Sequence, residues 1–395
     1  MRFSDEARRS RLARRHALHP EARLDDPLAA ANAMTALHAT EPPSVHLAVA
    51  ARVQGATVEA VEQSLYADRS IVKQLAMRRT LFAVPRDLLP ALLGSSSARV
   101  AAQQRAVITK DLEKHGVAVD GAAWISRASA AVLDRLADGT ALSAKQLRAE
   151  LPELEGRTTP DPNAKRWDVP TSFAPRLLTL LGAEGLIVRG GNEGHWRTSR
   201  PTWTRMERWL GAAPERLTAR VGWAELVRRY LASFGPATEA DIVWWLGSTK
   251  GAVRQALADI AATTVELESG SAGFVLPGDE TEDADTLDEW AALLPVLDPT
   301  VMGWKERGFY LEPAHAPYLF DTNGNGGTTA WLDGRIVGCW VQADDGRVRV
   351  IPTEALTARD LSRLQVEADR LTEFFDGVVI SSVYKSQQMK GQRLP

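Results

Sequence analysis

Within four positions the chain carries an imidazole, a hydroxyl and a carboxylate. They are His38, Thr40 and Glu41 of Thr35-Ala36-Leu37-His38-Ala39-Thr40-Glu41-Pro42-Pro43. These residue types suit the activation of water. A neutral imidazole accepts a proton near pH 7, a hydroxyl orients the water, and a carboxylate supplies a negative field for positive charge developing nearby. The structural reading of the same residues is plainer: His38 and Thr40 as a helix C-cap and turn, Glu41 solvated before Pro42. Asp298, at the end of the apolar run 293–297, is a further candidate acid that either faces the same cleft or caps the turn after it. Cations are candidates for phosphate or groove contact: Arg78 and Arg79 between two β-like runs, His195 beside Trp196, and Lys305, Arg307 and Arg335. Each would equally serve as an ordinary surface charge.

Other chemistries are excluded or unsupported. The single cysteine, Cys339, forbids an intrachain disulfide and a multi-cysteine zinc site. The seven histidines (16, 19, 38, 46, 115, 195 and 315) show no metal-ligand spacing. Gly324-Asn325-Gly326-Gly327 lacks the Lys-Ser/Thr that would follow in a phosphate-cradling loop. No metal and no cofactor are expected. There is no secretory signal pattern at Met1-Arg2-Phe3 and no long apolar run, so a cytoplasmic, nucleoid-associated protein without membrane contact is the expectation.

The formal net charge is −3, which weighs against a strongly basic DNA-coating protein. The charge is uneven, with eight acids and no Lys or Arg in residues 277–298. Basic patches therefore remain elsewhere, notably the arginine-rich first 25 residues and the stretch 157–229.

The elements that would position these groups follow from periodicity. Helices are expected over 5–18 and 27–37, the second opening on Pro27 and ending in the His38 stretch. Helices over 45–53 and 58–65 follow, then β-like runs 71–77 and 80–84. Helices followed by a hairpin is the order of a winged helix. A second candidate runs from Ser143 as N-cap through a helix at 171–184 to strands at 186–189 and 194–197. A third has helices at 222–233, 239–246 and 249–260, with Thr238 as N-cap and a hairpin over 264–276. Asp333-Gly334 predicts a type I′ turn and Asp345-Gly346 a second hairpin, with 293–297 as a fourth strand. Residues 357–375 read as an amphipathic helix. The domains expected are 1–85 (winged helix 1 with the candidate site), 86–140 (helical connector), 141–215 and 216–277 (winged helices 2 and 3), 278–292 (acidic linker) and 293–395 (β-rich domain). The fold class is α+β, mostly helical.

Four stretches carry a resemblance: Leu294-Pro295-Val296-Leu297-Asp298 through Gly303-Trp304-Lys305-Glu306-Arg307; Leu332-Asp333-Gly334-Arg335; Tyr230 to Thr238 with Asp241 and Trp245; and Met77-Arg78-Arg79-Thr80-Leu81. Together, over residues 5–380, they resemble the winged-helix family of bacterial DNA glycosylases typified by AlkZ and YcaQ. The resemblance implies tandem winged helices in a C-shaped arrangement with a C-terminal barrel-like domain, acting as a monomer on damaged double-stranded DNA. It implies excision of bulky alkylated purines, extending to crosslink unhooking or self-resistance to a genotoxin. The family's Gln-apolar-Gln or Gln-apolar-Asp motif falls on His38, Ala39 and Thr40, so both polar positions differ. A ring-alkylated purine is already cationic and leaves without a general acid, so water activation by His38 and Thr40 would suffice. The alternative is a non-catalytic winged-helix DNA-binding protein, a transcription regulator or lesion binder.

Overall fold

The computed structural model describes residues 1–159, 170–281, 287 and 289–392. Helices and small sheets alternate, with 46% of the chain helical, so the protein mixes helix and sheet with helix outweighing strand. It forms two compact units, one of residues 1–72, 82–86 and 223–395, the other of 73–81 and 87–222. Among the described residues no helix is long and apolar enough to cross a membrane.

The second unit has a helical core. Helices Ser96–Lys114, Gly121–Arg135 and Ala174–Ala183 bury Ile108, Leu112, Ile125, Val132, Leu177 and Leu181 against one another. Gly121 permits the close crossing, because a Cβ there would lie 2.4 Å from the Thr109 carbonyl oxygen. Ser143 caps Ala144–Glu150 in a capping box with Gln146, as expected. Leu142–Ser143, Pro201–Arg205 and Ile187–Asn192 form a three-stranded sheet in that order. The returning strand is therefore 201–205, not 194–197. The latter residues make a turn in which the Thr198 amide donates to the His195 carbonyl at 2.9 Å. Residues 160–169, in the interruption ahead of this helix, lie outside the described residues.

In the first unit helix Asp5–Arg15 is capped by Ser4. Its arginines do not make a basic outer face. Arg8 stacks over Phe309 at 3.7 Å, and Arg11 and Arg15 pair with Asp279 at 3.1 and 2.6 Å. Asp279, in the stretch expected as a linker, is thus held; residues 282–286 and 288 lie outside the described residues. Helices Glu239–Leu246 and Lys250–Asp259 are capped by Thr238 and Thr249, and Thr263–Leu267 and Ala272–Val275 form the hairpin. Arg2–Phe3 adds to it as an unforeseen parallel third strand that buries Phe3.

The C-terminal sheet orders Ala291–Leu294, Thr329–Leu332, Arg335–Gln342 and Val348–Pro352 in sequence. Positive φ at Asp333 and Gly334, between the paired Leu332 and Arg335, realises the expected I′ turn. The two outer strands do not pair with each other, so the sheet is open and the barrel expectation is corrected. Helix Ala358–Phe375, capped by Thr357, buries Leu364, Ala368, Leu371 and Phe375, a helical spacing. It packs on the sheet, with Phe375 6.2 Å from Trp340. Cys339 is buried on the sheet, which pushes its thiol up to about 12 and leaves it inert.

A buried ion pair ties these parts of the first unit together. Arg52 and Asp298 are fully enclosed, and the guanidinium meets the carboxylate through two bonds, of 2.9 and 2.7 Å. Arg52 also donates to the Ala48 carbonyl and the Thr300 hydroxyl. Thr300 lies 2.9 Å from His16 Nδ1, and His16 Nε2 lies 3.0 Å from the Ser233 carbonyl. A carbonyl only accepts, so Nε2 carries the proton, and neutral His16 takes the Thr300 hydroxyl proton at Nδ1. Burial, and then the Arg52 charge, hold the His16 pKa well below its usual value.

Two outcomes follow. Asp298→Ala strands a buried guanidinium and is expected to cost about 3–5 kcal/mol, against about 1 kcal/mol or less for the more exposed Asp279→Ala, measured by denaturant unfolding. Below about pH 6.5 the unfolded chain protonates position 16 and the folded chain does not. Stability should therefore fall on acidification by up to about 1.4 kcal/mol per pH unit from this group, and His16→Gln should flatten that part of the profile.

Candidate active site

The stretch around His38 is a strand, not the end of a helix. Helix Pro27–Ala33 is capped by Asp26 and stops at Ala33; Thr35 then turns through φ +61°. That left-handed conformation is unfavourable for a β-branched residue. It is held because the Thr35 hydroxyl donates to the Arg229 carbonyl at 3.0 Å and takes the Ser233 hydroxyl proton at 2.9 Å. Leu37–His38 then pairs antiparallel with Ala83 and Phe82. Pro42 and Pro43 do not merely stop what precedes them. They occupy the first turn of helix Pro42–Ala50, where a missing N–H costs nothing.

This geometry fixes each side chain. His38 is 3% exposed and tilts against Phe82, ring centres 4.5 Å apart; Phe82 in turn meets Trp245. Trp245 is core, as its apolar context suggests. Thr40, two residues on, is exposed. Glu41 is not solvated. It is 6% exposed, and its Oε1 accepts from the Ser382 hydroxyl at 2.8 Å and the Val383 amide at 2.6 Å. The chain after the C-terminal helix is thereby strapped to the start of helix Pro42–Ala50.

Asp298 does not join this group. Its carboxylate serves the C-terminal end of helix Pro42–Ala50 through Arg52, whereas Glu41 sits at the N-terminal end. Nine residues separate those ends by roughly 14 Å. Asp298 also caps the Thr300 amide at 2.9 Å, the structural role weighed for it. Closed by Arg52 and 1% exposed, it is not a cleft acid.

The expected cations divide. Lys305 is exposed, and its amide and that of Glu306 both donate to Asp241 Oδ1 at 2.8 Å. Asp241 Oδ2 takes the Thr238 amide and hydroxyl. One buried carboxylate thus joins two of the sequence stretches that carry the resemblance. Arg307 lies over Phe320 at 4.4 Å and Trp244 at 5.1 Å. Arg335 is exposed but lines a hollow with Glu6, Glu289, Asp333, Glu354 and Asp360, a poor surface for phosphate. Arg78, Arg79 and His195 belong to the second unit. Arg78 and Arg79 sit in a tight turn with φ +53° and +58°, Arg78 half-buried and Arg79 exposed; His195 is exposed on its loop.

The sequence reading missed Arg52, His16, Thr300 and Ser382. Arg52 had a signal: a lone arginine closing an apolar run must find a carboxylate if the run is buried. Ser382 had none, because its contact spans 341 positions.

A comparison with curated proteins finds no match. Among solved structures, the chain is similar to the Streptomyces sahachiroi DNA glycosylase AlkZ, with a TM-score of 0.74 and 21% identity over 94% of this chain and 98% of that one. That likeness is one of fold. Residues 31–374 match the family described as DNA glycosylase AlkZ-like, and with most of its length matched the chain belongs to the AlkZ-like DNA glycosylase family.

Proposed function

We propose that the protein hydrolyses the N-glycosidic bond of bulky alkylated purines in duplex DNA, with His38 and Thr40 activating the water. The supporting observation is the pinned strand Leu37–His38, with an exposed Thr40 two residues beyond it, in a chain of this family. Thr40 holds the water by hydrogen bond, and His38 behind it accepts the proton. As the water oxygen bonds to the sugar C1′, the glycosidic pair of electrons moves to the purine and neutralises its charge. Excision of one base of an interstrand crosslink is the same reaction and would unhook the strands. In this reading the three helix-and-hairpin stretches are winged helices. Exposed Lys305, Arg79 and His195 contact DNA backbone, as monomeric binding to phosphates requires.

The second reading, a DNA-binding protein without catalysis, is favoured by the burial of His38 against Phe82. Duplex DNA carrying an N7-alkylguanine separates the two. Wild-type protein in excess should generate abasic sites, and His38→Ala should slow their formation about 10²-fold or more, the scale of a lost general base. Absence of base release at high protein concentration would leave the binding reading. The logarithm of DNA affinity should fall linearly with the logarithm of salt concentration. Lys305→Ala and Arg79→Ala should each reduce the slope by about 1; an unchanged slope removes that residue from the phosphate contacts.

A further inference from the structure

The turn between strands Ile71–Leu75 and Leu81–Pro85 carries arginine where its geometry favours glycine. The Thr80 amide donates to the Met77 carbonyl at 3.0 Å, and the two residues between them, Arg78 and Arg79, have φ of +53° and +58°. That is a type I′ turn, which favours Asn-Gly or Asp-Gly because a Cβ crowds the backbone at positive φ. The same chain obeys the preference at Asp333-Gly334. The arginine turn is firmly mounted. Met77 is fully buried, with the Ser96 hydroxyl 3.7 Å from its sulfur. The Gln104 amide, oriented so that both of its polar atoms are satisfied, accepts from Arg79 Nε at 2.8 Å and Nη2 at 3.2 Å. Ser96 and Gln104 both lie on helix Ser96–Lys114, in the same unit as the turn. Arg78 is half-buried, whereas Arg79 is exposed and, among the described residues, pairs with no carboxylate. The fold does not need arginine at position 79, because glycine would close the same turn without strain. Strain of this kind persists where function requires the side chain.

We propose that this turn enters the minor groove of duplex DNA, with Arg79 as the side chain that reaches the base edges. The inference rests on the proposed reading of a protein that acts on duplex DNA, and it goes beyond contact with backbone phosphates. A phosphate on the outside of the duplex is met as well by a lysine on an unstrained loop. The minor groove is more demanding. It is about 6 Å wide, so it admits the narrow tip of a two-residue turn more readily than a broad loop. Its negative potential draws arginine, whose planar, weakly hydrated guanidinium sheds water more easily than an ammonium. Held in advance by Gln104, Arg79 loses little side-chain freedom on entry. A guanidinium between two rows of phosphates still displaces a counterion, so salt dependence is common to groove and backbone contact. Groove width and groove occupancy separate the two.

The test is fluorescence anisotropy of the full chain with two undamaged duplexes that differ only in a central A·T tract or G·C block. Wild type should bind the A·T duplex about threefold or more tightly, because the groove there is narrower and more negative. Netropsin, which fills the minor groove of A·T tracts, should remove that preference. Arg79→Gly relieves the backbone and removes the side chain. Its thermal midpoint should equal or exceed that of wild type. Its affinity for the A·T duplex should fall about tenfold or more, with the preference and the netropsin effect both lost. Arg79→Lys keeps the charge and should still lose the A·T preference. Should Arg79→Gly fail to fold, Arg79→Lys and netropsin decide. The proposal is overturned by affinity unmoved in Arg79→Gly, by Arg79→Lys matching wild type on both duplexes, by indifference to netropsin, or by a lowered midpoint in Arg79→Gly, which would make the arginine a structural residue. Absence of binding to either duplex overturns it as well. Release of alkylated bases from DNA with none of these effects of position 79 sinks groove entry and leaves the glycosylase reading. Groove-dependent binding without release does the reverse.

Discussion

The first unit depends on the buried pairing of Arg52 with Asp298. A buried ion pair adds little net stability over apolar packing, but it tolerates almost no displacement once its partners are desolvated. Here it fixes the end of helix Pro42–Ala50 to the Pro-Val-Leu-Asp-Pro-Thr stretch. Thr300 and His16 extend the constraint to the first helix and to Ser233, and Ser233 bonds Thr35. Thr35 is held in a left-handed conformation three residues before His38. A chain of polar contacts thus runs from Asp298 to the base of the strand Leu37–His38. Asp298, paired with Arg52, thus bears on where that strand is held.

Asp241 does comparable work with a single carboxylate. It closes the capping box of Glu239–Leu246 and collects the backbone amides of Lys305 and Glu306. The stretches that carry the family resemblance are therefore largely joints of the scaffold. The N-terminal arginines belong to the same economy of buried charge, stacked on Phe309 or paired with Asp279 and Glu367. A count of basic residues overstated the surface open to phosphate, because arginine carries its charge into ion pairs and onto ring faces more readily than lysine.

Most helices were legible because their caps are local: Ser143, Thr238, Thr249 and Thr357 each accept from an amide three residues on. The Asp333-Gly334 turn was legible because both positions demand positive φ. The stretch around His38 was misread for a physical reason. Alanine-rich periodicity continues through Leu37, but Thr35 breaks it, held by contacts some 200 positions away, and the strand exists only because Phe82 and Ala83 pair with it. The misplaced strand at 201–205, the addition of Arg2–Phe3 to the third hairpin and the strap on Glu41 are likewise long-range pairings. No local propensity encodes these.

What matters most is whether the residue at position 38 works on water. The family resemblance places glutamine there, a residue that can also hold water by hydrogen bond but cannot take its proton at neutral pH. Single-turnover release of an N7-alkylguanine by His38→Gln, beside wild type and His38→Ala, tests this directly. Measurable release by His38→Gln, slower than wild type and faster than His38→Ala, is the expected result. Equal rates for all three proteins would contradict it.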